Sequence, residues 1–136
     1  MIKILFVDDN FDCLKILERV FRKEFIVYTT SGVNAAMEIL KNKKVNLVCS
    51  DLHMRGETGV VLLQEMIRSD MNIPFILMSG DIDSMEIKRA ESYGAVFLEK
   101  NGELASRIKR IAVSVEKKGS QAIGERPACV KNINSG

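Results

Sequence analysis

The sequence predicts an α/β fold, a doubly wound five-stranded parallel sheet with helices on both faces. Three observations predict it. Short apolar runs rich in β-branched residues alternate five times with segments of helical periodicity. The runs are continuous rather than alternating, as strands buried on both faces require. The connections between them are short. A chain of 136 residues that is 46% apolar and 28% charged suits one domain, because single cores commonly hold about 100–150 residues. The apolar fraction is too high for a disordered chain.

The elements follow in order. Residues 2–7 form an apolar run that ends at Asp8-Asp9. Leu14, Leu17, Val20 and Phe21 then recur at helical spacing, flanked by Cys13 and Ile16. Residues 25–30 read as a second strand from their aromatic and β-branched content, and Ser31-Gly32 closes it. Residues 35–40 are mostly good helix formers. The third strand, 45–50, runs straight into Asp51. A polar loop with Gly56 and Gly59 leads to a helix over 60–67. The fourth strand spans 73–79, with Pro74 near its start. Asp83 or Ser84 is placed to cap a helix over 85–93, ended by Gly94. A short strand at 95–98 precedes Glu99-Lys100. Asn101 is the expected N-cap of a last helix whose stripe is Leu104, Ile108, Ile111, Ala112 and Val115. Periodicity then vanishes, which predicts a folded domain over 1–118 and a flexible tail over 119–136.

Composition excludes several classes. No apolar run reaches the ~18 residues of a membrane span, so no membrane insertion is expected. The N-terminal run meets acid early and lacks a small-residue cleavage site, so the cytoplasm is the expected location. Residues 1–115 hold 16 basic and 16 acidic side chains. Such neutrality leaves no basic footprint for nucleic acid. The three cysteines, Cys13, Cys49 and Cys129, lack metal or redox spacing and read as two small core residues and one loose thiol. The seven methionines fall mostly at core-facing spacings.

In a doubly wound sheet, ligands bind beyond the carboxyl ends of the strands, where strand order reverses. Asp8 and Asp9 close the first strand, Asp51 the third, Ser79 the fourth and Lys100 follows the fifth. These five should gather on one rim. Crowded carboxylates repel unless a cation compensates, and carboxylates with a backbone carbonyl and water suit Mg²⁺ rather than zinc. Ser79 and Lys100 add donors for an oxyanion. Charge neutralisation around one carboxylate is what phosphoryl transfer needs, and it makes Asp51 the candidate nucleophile, giving an aspartyl-phosphate.

Asp8-Asp9-Asn10, Asp51-Leu52-His53-Met54 with Gly59, Ser79-Gly80 and Lys100 resemble the receiver domain of two-component response regulators. The resemblance spans about residues 2–116. It implies a (βα)5, flavodoxin-like fold with strand order 2-1-3-4-5. It also implies phosphorylation of Asp51 by a histidine kinase or histidine phosphotransfer domain, with Mg²⁺ held by Asp8, Asp9, Asp51 and the His53 backbone carbonyl. Ser79 and Lys100 would bind phosphoryl oxygens, and Ser79 and Phe97 would form the switch. A stand-alone receiver, similar to the chemotaxis regulator, is expected, with catalysis limited to its own phosphorylation and dephosphorylation. The downstream protein target is left open, as is the choice between a monomer and a phosphorylation-dependent dimer.

Three positions depart from the family pattern. Arg55 and Asn101 stand where the family usually has proline, and Phe97 lacks the hydroxyl of a tyrosine. Without proline at 101, a trans Lys100–Asn101 bond is expected. His53 reads as an exposed loop side chain that modulates hydrolysis at Asp51, with Asp81 as its counterpart across the site. A phosphorylation-independent binding module of the same fold is the alternative; the complete set of acids, hydroxyl and lysine counts against it. A flavin protein would need a phosphate cradle after the first strand, where Asp8-Asp9 repels phosphate. A haloacid-dehalogenase-type phosphatase wants Asp-x-Asp there.

Overall fold

A computed structural model describes residues 1–82 and 84–119. Five parallel strands form one sheet: β1 (Lys3–Val7), β2 (Ile26–Thr30), β3 (Leu47–Asp51), β6 (Phe75–Ser79) and β7 (Val96–Glu99). Their order is β2-β1-β3-β6-β7, equivalent to the expected 2-1-3-4-5. Between β3 and β6, two-residue strands β4 (His53–Met54) and β5 (Glu57–Thr58) pair antiparallel. The helices are α1 (Phe11–Phe21), α2 (Val33–Asn42), α3 (Gly59–Arg68), α4 (Met85–Ser92) and α5 (Leu104–Gly119).

Period-two alternation along the central strands sorts their side chains between two core layers. Ile4, Phe6, Leu47, Cys49, Ile76 and Met78 face Leu14, Leu17 and Phe21 of α1 and Leu104, Ile108 and Ala112 of α5. Leu5, Val7, Val48, Phe75 and Leu77 face the other way, toward α2, α3 and α4. The central strands are therefore apolar on both faces, which is why they read as continuous runs. Phe6 and Phe21 meet at 5.3 Å between ring centroids, and Phe21 and Phe25 at 5.9 Å.

The departures from expectation are local. Val20 and Ile16 lie on the solvent side of α1, because an 11-residue helix has one buried stripe, which Leu14, Leu17 and Phe21 fill. Three methionines (Met54, Met66 and Met78) are buried, whereas Met1 and Met85 are exposed. Ser84 is the cap of α4, its hydroxyl accepting from the Ile87 N–H; Asp83 lies outside the described residues. Asn101 accepts from the Glu103 N–H through its side chain, and α5 starts only at Leu104. Asn101 thus makes an Asx-type turn leading into the helix rather than its cap. No peptide bond among the described residues is cis, so Lys100–Asn101 is trans. The expected tail and Cys129 lie outside the described residues, although α5 continues to Gly119.

Two glycines shape the segment after β3. Gly56 has φ +73 and turns the β4–β5 hairpin, a conformation that a side chain disfavours. Gly59 opens α3 against the sheet end. A Cβ there would sit 2.5 Å from the Asp51 carbonyl oxygen, 2.8 Å from Ser50 Oγ and 2.9 Å from Leu77 Cδ1. The nearest of these neighbours is the Asp51 backbone, which cannot move without shifting Asp51. Gly59→Ala should therefore destabilise the protein by about 1–3 kcal/mol, the usual range for overpacking. Urea unfolding measures this, and an unchanged midpoint would contradict the close approach.

Candidate functional site

The sheet reverses direction at β1, since the chain runs outward to β2 and then returns past β1 to β3. The carboxyl ends of β1 and β3 therefore flank the crevice left by the reversal. Backbone ladder bonds fix what stands there. The Asp8 N–H donates to Thr30 O at 3.0 Å, Leu52 N–H to Met78 O at 2.8 Å and Lys100 N–H to Ser79 O at 2.8 Å. Each site residue is thus placed at or beside the last rung of a strand pair.

The acids converge. Carboxylate oxygens of Asp8, Asp9 and Asp51 all lie within 4.8 Å of one another. Asp8 is fully buried, Asp51 nearly so, and Asp9 is the least buried of the three. Lys100 reaches over the end of β6 and donates to Asp8 Oδ2 at 2.8 Å and Asp51 Oδ1 at 3.0 Å. Asp8 also accepts from the Asn10 N–H at 2.9 Å, and Asp9 from the Arg55 N–H at 2.8 Å. Ser79 is buried, and its Oγ accepts from the Asp81 N–H at 3.0 Å. Across the mouth, His53 Nε2 meets Asp81 Oδ2 at 3.0 Å, both side chains being more than half exposed. The structure thus assembles the five rim residues and sets the expected His53–Asp81 pair over them.

Phe97 stands apart from this cluster. Its partner in the sheet register is Leu77, whereas Ser79 pairs with Glu99. It is half-buried against the core layer under α2, α3 and α4, so it begins partly inserted rather than at the solvent.

The electrostatics are those of an unfinished site. Burial, the largest effect, holds the Asp51 carboxyl above its ordinary value; the Lys100 hydrogen bond opposes this, while the charge of Asp8 adds to it. For Lys100, burial works to lower the value, but hydrogen bonds to Asp8 and Asp51 outweigh it and the ammonium is held above its usual range. One cation among three acids leaves net negative charge. An Mg²⁺ ion fits this donor set: hard oxygens, partly open to water, with no thiolate or imidazole among the converging atoms.

Three neighbours escaped the sequence reading. Cys13, in the first turn of α1, has its thiol pushed up to about 11 by burial and by a hydrogen bond to Asp8, so it stays a protonated donor to that carboxylate. Ser50 is buried and donates to the Asp51 carbonyl at 3.0 Å. Glu57 reaches to α2, accepting from the Val33 N–H at 2.9 Å. Only Cys13 carried a signal, its place one helical turn beyond the paired acids.

The sequence profile of the response regulator receiver domain matches residues 4–112. The chain belongs to this family. Among curated proteins, the receiver is 37% identical over 97 residues to the two-component response regulator ARR14 of Arabidopsis thaliana, covering 69% of this chain and 25% of that protein. It is 34% identical over 96 residues to ORR24 of Oryza sativa subsp. indica, covering 68% and 15%. The chain thus spans a quarter or less of these relatives. Among solved structures, the fold resembles the N-terminal domain of an uncharacterized protein from Wolinella succinogenes (TM-score 0.81, 18% identity, 88% of this chain and 97% of that one). It also resembles a CheY-like receiver domain protein from Methanospirillum hungatei JF-1 (TM-score 0.79, 16% identity, 90% and 99%). No helix among the described residues is long and apolar enough to cross a membrane.

The charges of the receiver's site predict its stability without divalent cations. A carboxyl whose folded value exceeds its unfolded one binds its proton more tightly when folded. The stability tied to it is present at acid pH and is lost as pH rises through the interval between the two values. At neutral pH ionised Asp51 is therefore a cost, and Asp51→Asn should raise the melting temperature by about 2–5 °C. Lys100→Ala leaves two acids uncompensated and should cost about 3 kcal/mol. Thermal unfolding in chelator measures both, and an Asp51→Asn protein less stable than wild type would contradict this electrostatic reading.

Proposed function

We propose that this receiver accepts a phosphoryl group on Asp51, with Mg²⁺, from the phosphohistidine of a histidine kinase or histidine phosphotransfer domain. The observation that carries the reading is the bridging of Asp8 and Asp51 by Lys100 at 2.8 and 3.0 Å. Asp8, Asp9, Asp51 and the His53 carbonyl would hold the cation. When bound, it neutralises the acids and the developing charge on the transferred group.

The chain's own residues do the rest. Lys100 holds the Asp51 carboxylate beneath the His53–Asp81 pair, oriented for in-line approach. As the Asp51 oxygen–phosphorus bond forms, the phosphorus–nitrogen bond of the donor breaks and its electron pair returns to the imidazole. The Lys100 ammonium then turns from carboxylate to phosphoryl oxygen. Ser79 gives up the Asp81 N–H and turns its hydroxyl toward another phosphoryl oxygen. His53 and Asp81, joined above the site, screen the acyl-phosphate from water. The domain catalyses no reaction beyond its own phosphorylation and dephosphorylation.

Signal output follows from the Ser79 movement. Drawing Ser79 inward shifts the end of β6 and the segment after it. That opens room for Phe97 and alters the surface of α4, β7 and α5. A partner reads the change only through its differential affinity for the two arrangements. Exposed Ile82, Met85, Val96 and Val113 give this side apolar contacts for a protein target or a second copy. The kinase side is α1 and the Asp8 rim, where Phe11, Ile16 and Val20 are exposed.

Incubation with a phosphohistidine protein or a small phosphodonor, with and without Mg²⁺, tests the assignment. Incorporation should need Mg²⁺ and vanish in Asp51→Asn; labelling of that variant at the wild-type level would move the site elsewhere. Lys100→Ala should still bind Mg²⁺ yet accept phosphate more slowly and fail to switch. Chemical-shift mapping with an acyl-phosphate mimic reads this last step. Changes confined to residues 51–58, with Phe97 and α4 silent, would refute the output surface and leave a phosphoryl shuttle.

A further inference from the structure

The segment after Asp51 carries the candidate metal-binding carbonyl of His53, and it lacks the proline that the family usually places at 55. The β4–β5 hairpin takes its place, with His53 opposite Thr58 and Met54 opposite Glu57. A hairpin of two-residue strands is too small to hold itself, so its position must be set from outside. Besides the exposed His53–Asp81 pair, three anchors are present. The Gly59 N–H donates to Leu52 O at 2.9 Å, and Asp9 Oδ2 accepts from the Arg55 N–H at 2.8 Å. The third is Glu57, whose Oε2 accepts from the Val33 N–H at 2.9 Å.

The third anchor has a specific cause. Helix α2 begins after Gly32, which has no side chain with which to cap it, and no side-chain cap bond is formed there. The exposed N–H groups of a helix's first turn attract an acceptor, preferably a negative one. Glu57, 24 residues later, supplies it. A Cβ on Gly32 would lie 3.2 Å from Glu57 Oε2, so the space left by glycine is the space the carboxylate uses. Thr58, the residue at the start of α3, makes no side-chain cap bond of its own. One of the hairpin's anchors therefore runs through α2.

We infer that Glu57 is a positioning residue for phosphoryl transfer, a strut from the N-terminus of α2 that fixes the His53 carbonyl beside Asp51. The inference rests on the Mg²⁺ site proposed above. Asp9 belongs to that site and also holds the hairpin at Arg55, so cation binding and hairpin position are linked through one carboxylate. Glu57 sets the resting end of that link without touching the reacting atoms.

Mg²⁺ titration of the full chain, followed by backbone amide shifts, tests this in wild type, Glu57→Ala, Glu57→Gln and Asp8→Ala. Glutamine keeps an acceptor oxygen but removes the charge. Glu57→Ala should weaken Mg²⁺ affinity about tenfold, the low end for groups that orient metal ligands. Glu57→Gln should stay within about twofold of wild type, because it preserves the bond to Val33. Both should keep a dispersed amide spectrum. Wild-type affinity in Glu57→Ala would overturn the strut, and an equal loss in both Glu57 variants would assign the effect to charge and overturn it too. Asp8→Ala separates the two proposals. If it binds Mg²⁺ as wild type does, the metal site itself is misplaced, whereas loss of binding there with no effect at Glu57 refutes the strut alone. Gly32→Ala supplies an independent arm. Crowding Glu57 from the other side should weaken Mg²⁺ affinity in the same direction.

Discussion

Lys100 donates to Asp8 and to Asp51 at once, and the rest of the site depends on that pair of bonds. Two carboxylates this deeply placed cannot both ionise beside each other without a neighbouring cation. The ammonium comes from the far side of the sheet, its long side chain crossing the end of β6 where Ser79 stands. Only a parallel sheet with short crossovers brings those strand ends to one edge, so the electrostatics of the pocket and the topology of the chain are one constraint. Lys100 compensates part of the charge. The remainder is the charge that the proposed divalent cation would neutralise.

The same economy appears in how the site residues are held. Asp8, Leu52 and Lys100 each donate a ladder-type backbone bond, so the rigid core layers beneath them fix Cα positions to the strand register. Beyond Leu52, the segment after β3 has one backbone anchor, the Gly59 N–H on Leu52 O. Side chains pin the rest: Asp9 at Arg55, Glu57 at Val33, and His53 against Asp81. Strand ends are held by backbone bonds and the loop mostly by side chains, the division that the proposed phosphorylation switch would use.

The sequence made the strands legible because they are buried on both faces and thus continuously apolar. It made the rim legible because Asp8, Asp51 and Ser79 sit at or beside the points where those runs stop. Helix ends were less readable. Asn101 looks like a cap, but its side chain closes a turn and α5 starts three residues on. Val20 fits the helical spacing of α1 yet faces solvent, because spacing alone does not say how wide the buried stripe is. Glu57 could not be found at all. Its role comes from a contact across 24 residues, to a backbone N–H left bare by a glycine, and no local pattern encodes that. Cys13 was read as a small core residue, yet it is only half-buried and its neighbour is a carboxylate.

A carboxylate-carbon NMR titration of Asp8, Asp9 and Asp51, with and without Mg²⁺, measures the central constraint directly. Without the cation, Asp51 should titrate above the ordinary aspartate range, its burial outweighing the single ammonium. With Mg²⁺ it should move down sharply, since the added charge favours the ionised form. An Asp51 that titrates in the ordinary range and ignores Mg²⁺ would contradict the account.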